Sequence, residues 1–225
     1  MRADLAPRAD DVFVVAQKIV SKAEGRYVDL RRVSPSRRAI ELGELSDKDP
    51  RLVEVILGES DEVLRCRGGL LIVRHRLGFV MANAGVDQSN LEPDEDAERV
   101  LLLPQNPDGS SARLKRQLGD HFGVEVGVVI SDSVGRAWRI GTVGLALGLA
   151  GIPAVRDLRG HSDLYGRELQ TTEVGFADLI ASSAMLVMGE GAEGTPVVLV
   201  RGLAHTNPDA TASLLIRPIE LDLFR

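Results

Sequence analysis

The sequence predicts an α+β protein with mixed or antiparallel sheets and packed helices. Three observations predict it. Short apolar, β-branched runs of strand length recur along the chain, segments with helical caps and spacing lie between them without strict alternation, and three neighbouring runs follow one another closely enough for hairpins. With 225 residues and 44% hydrophobic content, the chain can bury roughly 70–75% of its unfolded surface. That is enough for one domain over 1–225, with two subdomains if the proline- and glycine-rich stretch 104–109 divides it.

The strand candidates are Val12-Phe13-Val14-Val15, Leu70-Leu71-Ile72-Val73, Gly78-Phe79-Val80-Met81, Val126-Gly127-Val128-Val129-Ile130 and Val197-Val198-Leu199-Val200. Most are continuous rather than alternating, the pattern of strands covered on both faces. The runs 62–67, 70–74 and 77–82 suit hairpins. Among helices, Ser36 to Leu45 follows Ser-Pro and reads as capped, Pro50 to Leu57 has proline in its first turn, and Ser111 to Phe122 spaces Leu114, Leu118 and Phe122 by four. Thr172 to Met188 reads as a core helix, with Phe176, Leu179, Ile180, Ala184 and Val187 at helical spacing.

Composition excludes several classes. A net charge of −6 argues against a nucleic-acid binder, which needs a basic face to neutralise phosphates. The single cysteine, Cys66, cannot form an internal disulfide, so a reducing cytoplasm is expected. No apolar run reaches the roughly 18 residues of a membrane span, and Met1 to Asp11 is charged rather than signal-like, so no membrane partner is expected.

Three loops attract chemical interest. Asn83 to Asn90 follows an apolar run and gathers polar side chains in a turn, where Asp87 and Asn90 could reach one ligand; Asn and Asp also favour turns for backbone reasons alone. Ser131-Asp132-Ser133 is placed at the carboxyl end of the 126–130 strand, before Gly135-Arg136-Ala137-Trp138-Arg139. A carboxylate beside a hydroxyl can ligate a hard cation, and arginines such as Arg136 can hold phosphate oxygens. The bland alternative is a strand end and turn; a haloacid-dehalogenase phosphatase would want a second aspartate where Val134 stands.

Gly189-Glu190-Gly191-Ala192-Glu193-Gly194 matches the dinucleotide fingerprint in spelling only, because a helix precedes it and a strand follows, the reverse of the required order. No Gly-Lys-Ser or Gly-Lys-Thr supplies a Walker loop. What survives is a flexible loop whose amides can approach phosphates, with Glu190 as an oxygen ligand, or a plain connector. His75, His121, His161 and His205 share no metal-ligand spacing. Asp87, Asp132 and Glu190 therefore form an oxygen-only set in three loops, which selects magnesium or manganese together with nucleotide phosphates.

Taken in order, Gln17 to Gly25, Ala84 to Asn90, Leu102-Leu103-Pro104, Ser131-Asp132-Ser133, Asp163-Leu164-Tyr165-Gly166-Arg167-Glu168-Leu169 and Met188-Gly189-Glu190-Gly191 resemble the coenzyme F420-0:L-glutamate ligase family, matching from about residue 12 to about residue 203. The resemblance implies a GTP-dependent ligase that adds L-glutamate, γ-linked on extension, to a deazaflavin coenzyme precursor through an acyl phosphate. It implies two Mg2+ or Mn2+ ions, one on Asp87 and Asp132 and the other on Ser133 and Glu190, with K+ as an activator. Gln17, Lys18, Lys22 and Asn90 would contact GTP, as would Met188, Gly189, Gly191, Gly194 and Thr195 in the glycine loop. A family-specific α+β fold and an intertwined homodimer are also implied. Members ordinarily open with a strand and a Gly-Ile/Leu-Pro segment ahead of the region matching Asp11 to Gln17, a segment expected to be missing here. Alternatives are the same chemistry on another acceptor such as a folate, or a catalytically weak GTP- and metal-binding module.

Overall fold

A computed structural model describes residues 6–92, 95–205 and 209–223. In chain order the elements are β1 (Val12–Ala16), α1 (Gln17–Ala23), β2 (Tyr27–Asp29), α2 (Arg37–Ser46), α3 (Pro50–Gly58), β3 (Ser60–Arg67), β4 (Leu70–His75), β5 (Val80–Ala82), β6 (Arg99–Leu101), α4 (Pro107–Phe122), β7 (Gly127–Gly135), β8 (Thr142–Ala150), β9 (Arg156–Asp157), β10 (Glu173–Val174), α5 (Phe176–Met188) and β11 (Val197–Val200). The protein is mixed α+β, and no helix among the described residues is long and apolar enough to cross a membrane. The chain divides into two compact units, one of Met1–Ala16, Asn106–Ser133 and Val143–Arg225, the other of Gln17–Gln105 and Val134–Thr142.

The first unit is built on a sheet of order β11-β1-β7-β8, in which β1 runs parallel to β7 and antiparallel to β11. The continuous apolar runs at 12–15 and 126–130 have a direct cause. Val12, Val14 and Val129 pack with Phe176, Ile180, Ala184 and Met188 of α5, while Phe13 and Val128 pack with Leu114 and Leu118 of α4. Alternate residues of one strand thus enter two different cores, so a polar residue is admissible on neither face. Each fully buried Val or Ile contributes about 1.5–3 kcal/mol by leaving water.

At β8 the helices approach more closely than any side chain allows. A Cβ on Gly144 would sit 2.5 Å from the Ala181 backbone of α5, and one on Gly148 would sit 2.3 Å from the Pro107 backbone of α4. The polar edge of β8 is satisfied from the same helices: Ala146 N donates to Asp178 Oδ1 (2.9 Å), Ser182 Oγ donates to Gly144 O (2.8 Å), and Leu149 N donates to Asp108 Oδ1 (2.9 Å). Asp178 is partly buried there, and burial raises its pKa.

The second unit holds the antiparallel sheet β3-β4-β5, the ribbon β2-β6 and helices α1, α2 and α3. Here only one face of β4 is buried: Leu71, Val73 and His75 alternate with more exposed residues, and the first two pack with Leu42 of α2 and Val53 and Ile56 of α3. Ser36 Oγ caps α2 by accepting from Ala39 N (3.2 Å), and Asp49 caps α3 ahead of Pro50. At the end of α3, Glu59 Oε2 receives Arg26 Nη2 (2.9 Å) and Arg76 Nε (3.2 Å). The fully buried His75 accepts from Leu77 N at Nδ1 (3.0 Å), leaving its proton on Nε2, 3.5 Å from the same carboxylate. Burial pushes Glu59 up, but His75, Arg26 and Arg76 outweigh it and bring its pKa down to about 2.

Several expectations are corrected. Helix α4 starts at Pro107, four residues before Ser111, because Asn106 Oδ1 accepts from Gly109 N (2.9 Å) and Pro107 takes the first-turn position. The Thr172–Met188 helix is shorter: Glu173 and Val174 pair with Asp157 and Arg156 as β10, and α5 begins at Phe176. Of its predicted core residues, Leu179 and Val187 lie on an exposed face beside Leu186, which is 89% exposed. The 126–130 run does not end before Ser131; β7 continues to Gly135, its Ser131 paired with Ala16. Not every strand is covered twice, since β4 alternates and β11 is only partly buried.

Two outcomes follow from these contacts. Gly144→Ala and Gly148→Ala are each expected to cost about 1–3 kcal/mol, lowering Tm by about 2–4 °C per kcal/mol, whereas Gly58→Ala, with nothing within 4 Å of its Cβ position, stays near wild type in a thermal melt. Glu59, folded, titrates below its usual 4.5, so the stability it supplies is fully present above pH of about 4.5 and is lost as pH falls toward 2. Urea titrations across that window should show a steeper acid loss for wild type than for Glu59→Gln; equal slopes would remove Glu59 as the acid-labile group.

Candidate functional site

In the second unit, α1 is short, and its i, i+4 pair Lys18 and Lys22 projects toward the segment after β5. That segment is bent by consecutive left-handed residues, Asn83 (φ 53°), Ala84 (φ 53°) and Gly85 (φ 67°), an unusual conformation for the first two. Leu103 lies so close to Gly85 that a Cβ there would be 2.8 Å from it. The loop is then pinned to β6: Asp87 N donates to Leu101 O (3.0 Å) and Leu101 N donates back to Asp87 O (2.9 Å). With its backbone held at both groups, Asp87 presents its carboxylate to Lys18 Nζ (2.6 Å), while Ser89 N (2.7 Å) and Ser89 Oγ (3.1 Å) also donate to it. Lys22 Nζ donates to Asn90 O (2.7 Å), and Lys18 Nζ reaches Ser89 O (3.1 Å).

Burial alone would raise the pKa of Asp87. The Lys18 hydrogen bond and charge, with the Ser89 amide and hydroxyl, outweigh it and hold the carboxyl below its usual range. An ionised carboxylate, a hydroxyl and two ammonium groups thus share one loop–helix junction. Lys18, Lys22, Asp87 and Asn90, singled out separately in the sequence, are brought together. Gln17 is turned inward, 3% exposed, with its Oε1 accepting from Ser21 Oγ (2.9 Å). Arg136, also of this unit, lies at the tip of the β7–β8 hairpin, where its Nη1 donates to Gly141 O (3.1 Å).

In the first unit, Asp132 and Ser133 stand within β7, just past the buried part of the strand, and both are partly exposed. The predicted loop placement of Asp132 is therefore replaced by a strand. The reason is that pairing continues through Ser131 and on into the β7–β8 hairpin. Ala16, opposite Ser131, donates its N–H to Pro196 O (2.8 Å), so the glycine loop leading into β11 lies at the same end of the sheet as Ser131.

That loop follows α5 and precedes β11. Met188 is buried at the end of the helix, and Gly189 stops it with φ 71°. Glu193 folds back over the loop: its Oε2 accepts from Gly191 N (2.8 Å), and a Cβ on Gly189 would lie 2.1 Å from its carboxyl carbon. Glycine at 189 is favoured by its left-handed backbone, and a side chain there would also displace the Glu193 carboxylate. Glu190 and Thr195 are on the loop, Glu190 exposed, and Thr195 Oγ1 is 3.5 Å from Glu193 O. Gly194 takes φ 65°.

Among the described residues, no group of three or more His, Cys, Asp or Glu is gathered where it could hold a metal ion. Of the residues expected to bind metal, Asp132, Ser133 and Glu190 belong to the first unit and Asp87 to the second. The Lys18–Asp87 pairing had no signature of its own in the sequence, because the partners are 69 residues apart and one lies in a helix too short to read by periodicity.

Comparison with known proteins bears on this geometry. The F420-0:Gamma-glutamyl ligase family profile matches residues 1–202. The chain is 46% identical over 217 residues to the coenzyme F420:L-glutamate ligase of Methanothermobacter thermautotrophicus, covering 96% of this chain and 84% of that protein. It is 45% identical over 215 residues to the proteins of the same name from Methanocaldococcus jannaschii and Archaeoglobus fulgidus, with the same 96% and 84% coverage. Identity of this extent, over nearly the whole of the chain that carries the Lys18–Asp87 junction, β7 and the glycine loop, places it: the chain belongs to the F420-0:gamma-glutamyl ligase family.

Proposed function

We propose that this chain is a GTP-dependent acid–amino-acid ligase that joins L-glutamate to the carboxylate of a deazaflavin coenzyme precursor in coenzyme F420 biosynthesis. The observation that carries the reading is the family match over residues 1–202, joined by relatives named coenzyme F420:L-glutamate ligases at 45–46% identity. The reaction has two parts. An oxygen of the acceptor carboxylate takes the γ-phosphoryl group of GTP, giving an acyl phosphate and GDP. Glutamate's amine then attacks the acyl carbon; the amide bond forms, inorganic phosphate leaves, and the amine loses a proton.

The donor chemistry fits the cations expected. Asp87, Asp132, Ser133 and Glu190 offer only hard oxygens, and Asp87 is held ionised. Asp87 and Asp132 would hold one Mg2+ or Mn2+, Ser133 and Glu190 the other, and K+ would serve as activator. The chemistry such cations would supply is neutralisation of the charge on the transferred phosphoryl group. The chain's own residues bind and orient. Lys18 and Lys22 supply positive charge beside Asp87 and Asn90, suited to nucleotide phosphates, and Gln17 fixes the first turn of their helix through Ser21. Gly191 N already holds a carboxylate oxygen of Glu193, which supports the reading of this loop as a place for anionic phosphate oxygens. Arg136 contributes a further guanidinium.

A homodimer and a cytoplasmic location belong to the same proposal. Supporting the dimer, Leu164 and Tyr165, 98% and 95% exposed, sit on a turn locked by Asp163 Oδ1, which accepts from Tyr165 N (2.8 Å) and Arg167 N (2.9 Å).

The deciding experiment incubates the protein with GTP, manganese, L-glutamate and either coenzyme F420-0 or a folate, with mass spectrometry of the acceptor. Gain of a glutamyl residue on the deazaflavin, with stoichiometric GDP, is expected; gain on the folate alone would sink the assignment. Asp132→Asn and Glu190→Gln should each lower kcat by at least about a hundredfold with unchanged thermal melts, because each removes a charged oxygen outside the core. Lys18→Met should raise KM for GTP more than it lowers kcat, and should move the Asp87 carboxyl upward in an NMR titration, the two readouts together tying Lys18 to both nucleotide and carboxylate.

A further inference from the structure

The loop at residues 136–141 joins β7 to β8 and carries Arg136, Trp138, Arg139 and Ile140. Trp138 is the only tryptophan of the chain and is 87% exposed. Its backbone lies in the left-handed region, φ 63°, which disfavours bulky side chains and is ordinarily left to glycine or asparagine. Glycine stands three residues on, at Gly141 (φ 91°), so the turn has flexible residues available and nevertheless sets its largest aromatic at the strained position. Ile140 beside it is fully exposed. The loop is braced, because Arg136 Nη1 donates to Gly141 O (3.1 Å). Packing explains none of this. A strained backbone that holds a solvated indole on the same short loop as Arg136 and Arg139 points to a role outside the fold.

We infer that this hairpin tip is a recognition element for the acceptor: Trp138 stacks on the planar heteroaromatic ring of the deazaflavin, while Arg136 and Arg139 face its anionic tail. The inference rests on the acceptor reading above and adds to it the residues that receive the ring. An indole face suits a flat fused ring, and guanidinium groups suit both stacking and carboxylate or phosphate oxygens. The footprint, one aromatic, one aliphatic and two cations on a single turn, matches a small anionic aromatic molecule rather than a broad partner surface. The net charge of −6 makes a locally basic tip useful, since the overall charge of the protein disfavours an anionic acceptor.

The test measures ring binding apart from turnover. Coenzyme F420-0 is titrated into the full chain without GTP, metal or glutamate, and the Kd is read from deazaflavin fluorescence anisotropy, with quenching of the single tryptophan as a second signal. Trp138→Ala is expected to weaken binding by about tenfold, Trp138→Phe by no more than about threefold, and Arg136→Gln and Arg139→Gln each measurably, with the effect of the arginines shrinking at high salt. Trp138→Gly is the discriminating variant. Glycine relieves the left-handed strain, so Tm should hold or rise while ring binding falls, an outcome that a structural role for Trp138 would not give. Wild-type affinity in Trp138→Ala overturns the inference. So does tryptophan emission that shifts with protein concentration and ignores the deazaflavin, which would make the tip a contact between copies. If wild type binds the ring through Trp138 yet adds no glutamate, the ligase reading falls and the ring site stands; if glutamate is added equally by wild type and Trp138→Ala, the reverse holds.

Discussion

Two-sided burial of the parallel pair β1 and β7 is the constraint on which the first unit depends. In a strand covered on both faces every side chain must be apolar, and Val12 to Val15 and Val128 to Ile130 meet that demand by feeding alternate residues to the α5 and α4 cores. The requirement ends at the carboxyl ends of the paired strands. Past Ala16 comes Gln17, and past Ile130 come Ser131, Asp132 and Ser133. Gln17 and Ser131 are still buried, and Asp132 and Ser133 are the first partly exposed groups of β7, near the position at which parallel strands commonly offer groups to a ligand.

The second unit solves a different problem. Its sheet is covered on one side only, so its order depends on polar anchoring as well as on packing. Glu59 gathers Arg26, Arg76 and His75, and Arg26 Nε donates in turn to Leu103 O (2.9 Å). Leu103 is the residue that presses against Gly85, and the strand before it clamps the Asp87 backbone. A carboxylate at the end of α3 is thereby linked through contiguous contacts to the stretch that sets Asp87 in place.

Much of this was legible in the sequence where one physical signal dominated. Ser36 and Pro50 marked helix starts because capping is local, and the 62–82 region gave hairpins because its runs are close together. The long buried strand β8 escaped notice. Its Gly144, Ala146 and Gly148 are small because helices crowd it, and small residues carry little strand signal. Helix α1 has too few residues for periodicity to show, and β2, β6, β9 and β10 are two or three residues long. At the candidate site, residue types and order were readable, whereas the Lys18–Asp87 pairing and the folding of Glu193 over Gly189 depend on distant chain approach and on a left-handed backbone that a residue list does not display.

An outer strand carries unpaired amide and carbonyl groups that invite another chain to continue the sheet. At β8 that invitation is withdrawn by side chains of the protein itself, since Asp178, Ser182 and Asp108 occupy the backbone groups of Ala146, Gly144 and Leu149. The arrangement also survives proton uptake. Asp178, whose pKa is raised by burial, accepts through a carboxyl oxygen that remains an acceptor when the acid is neutral, so mild acidity leaves the bond from Ala146 intact. Three backbone groups of β8 are therefore withheld from further strand pairing by the same two helices that its glycines admit.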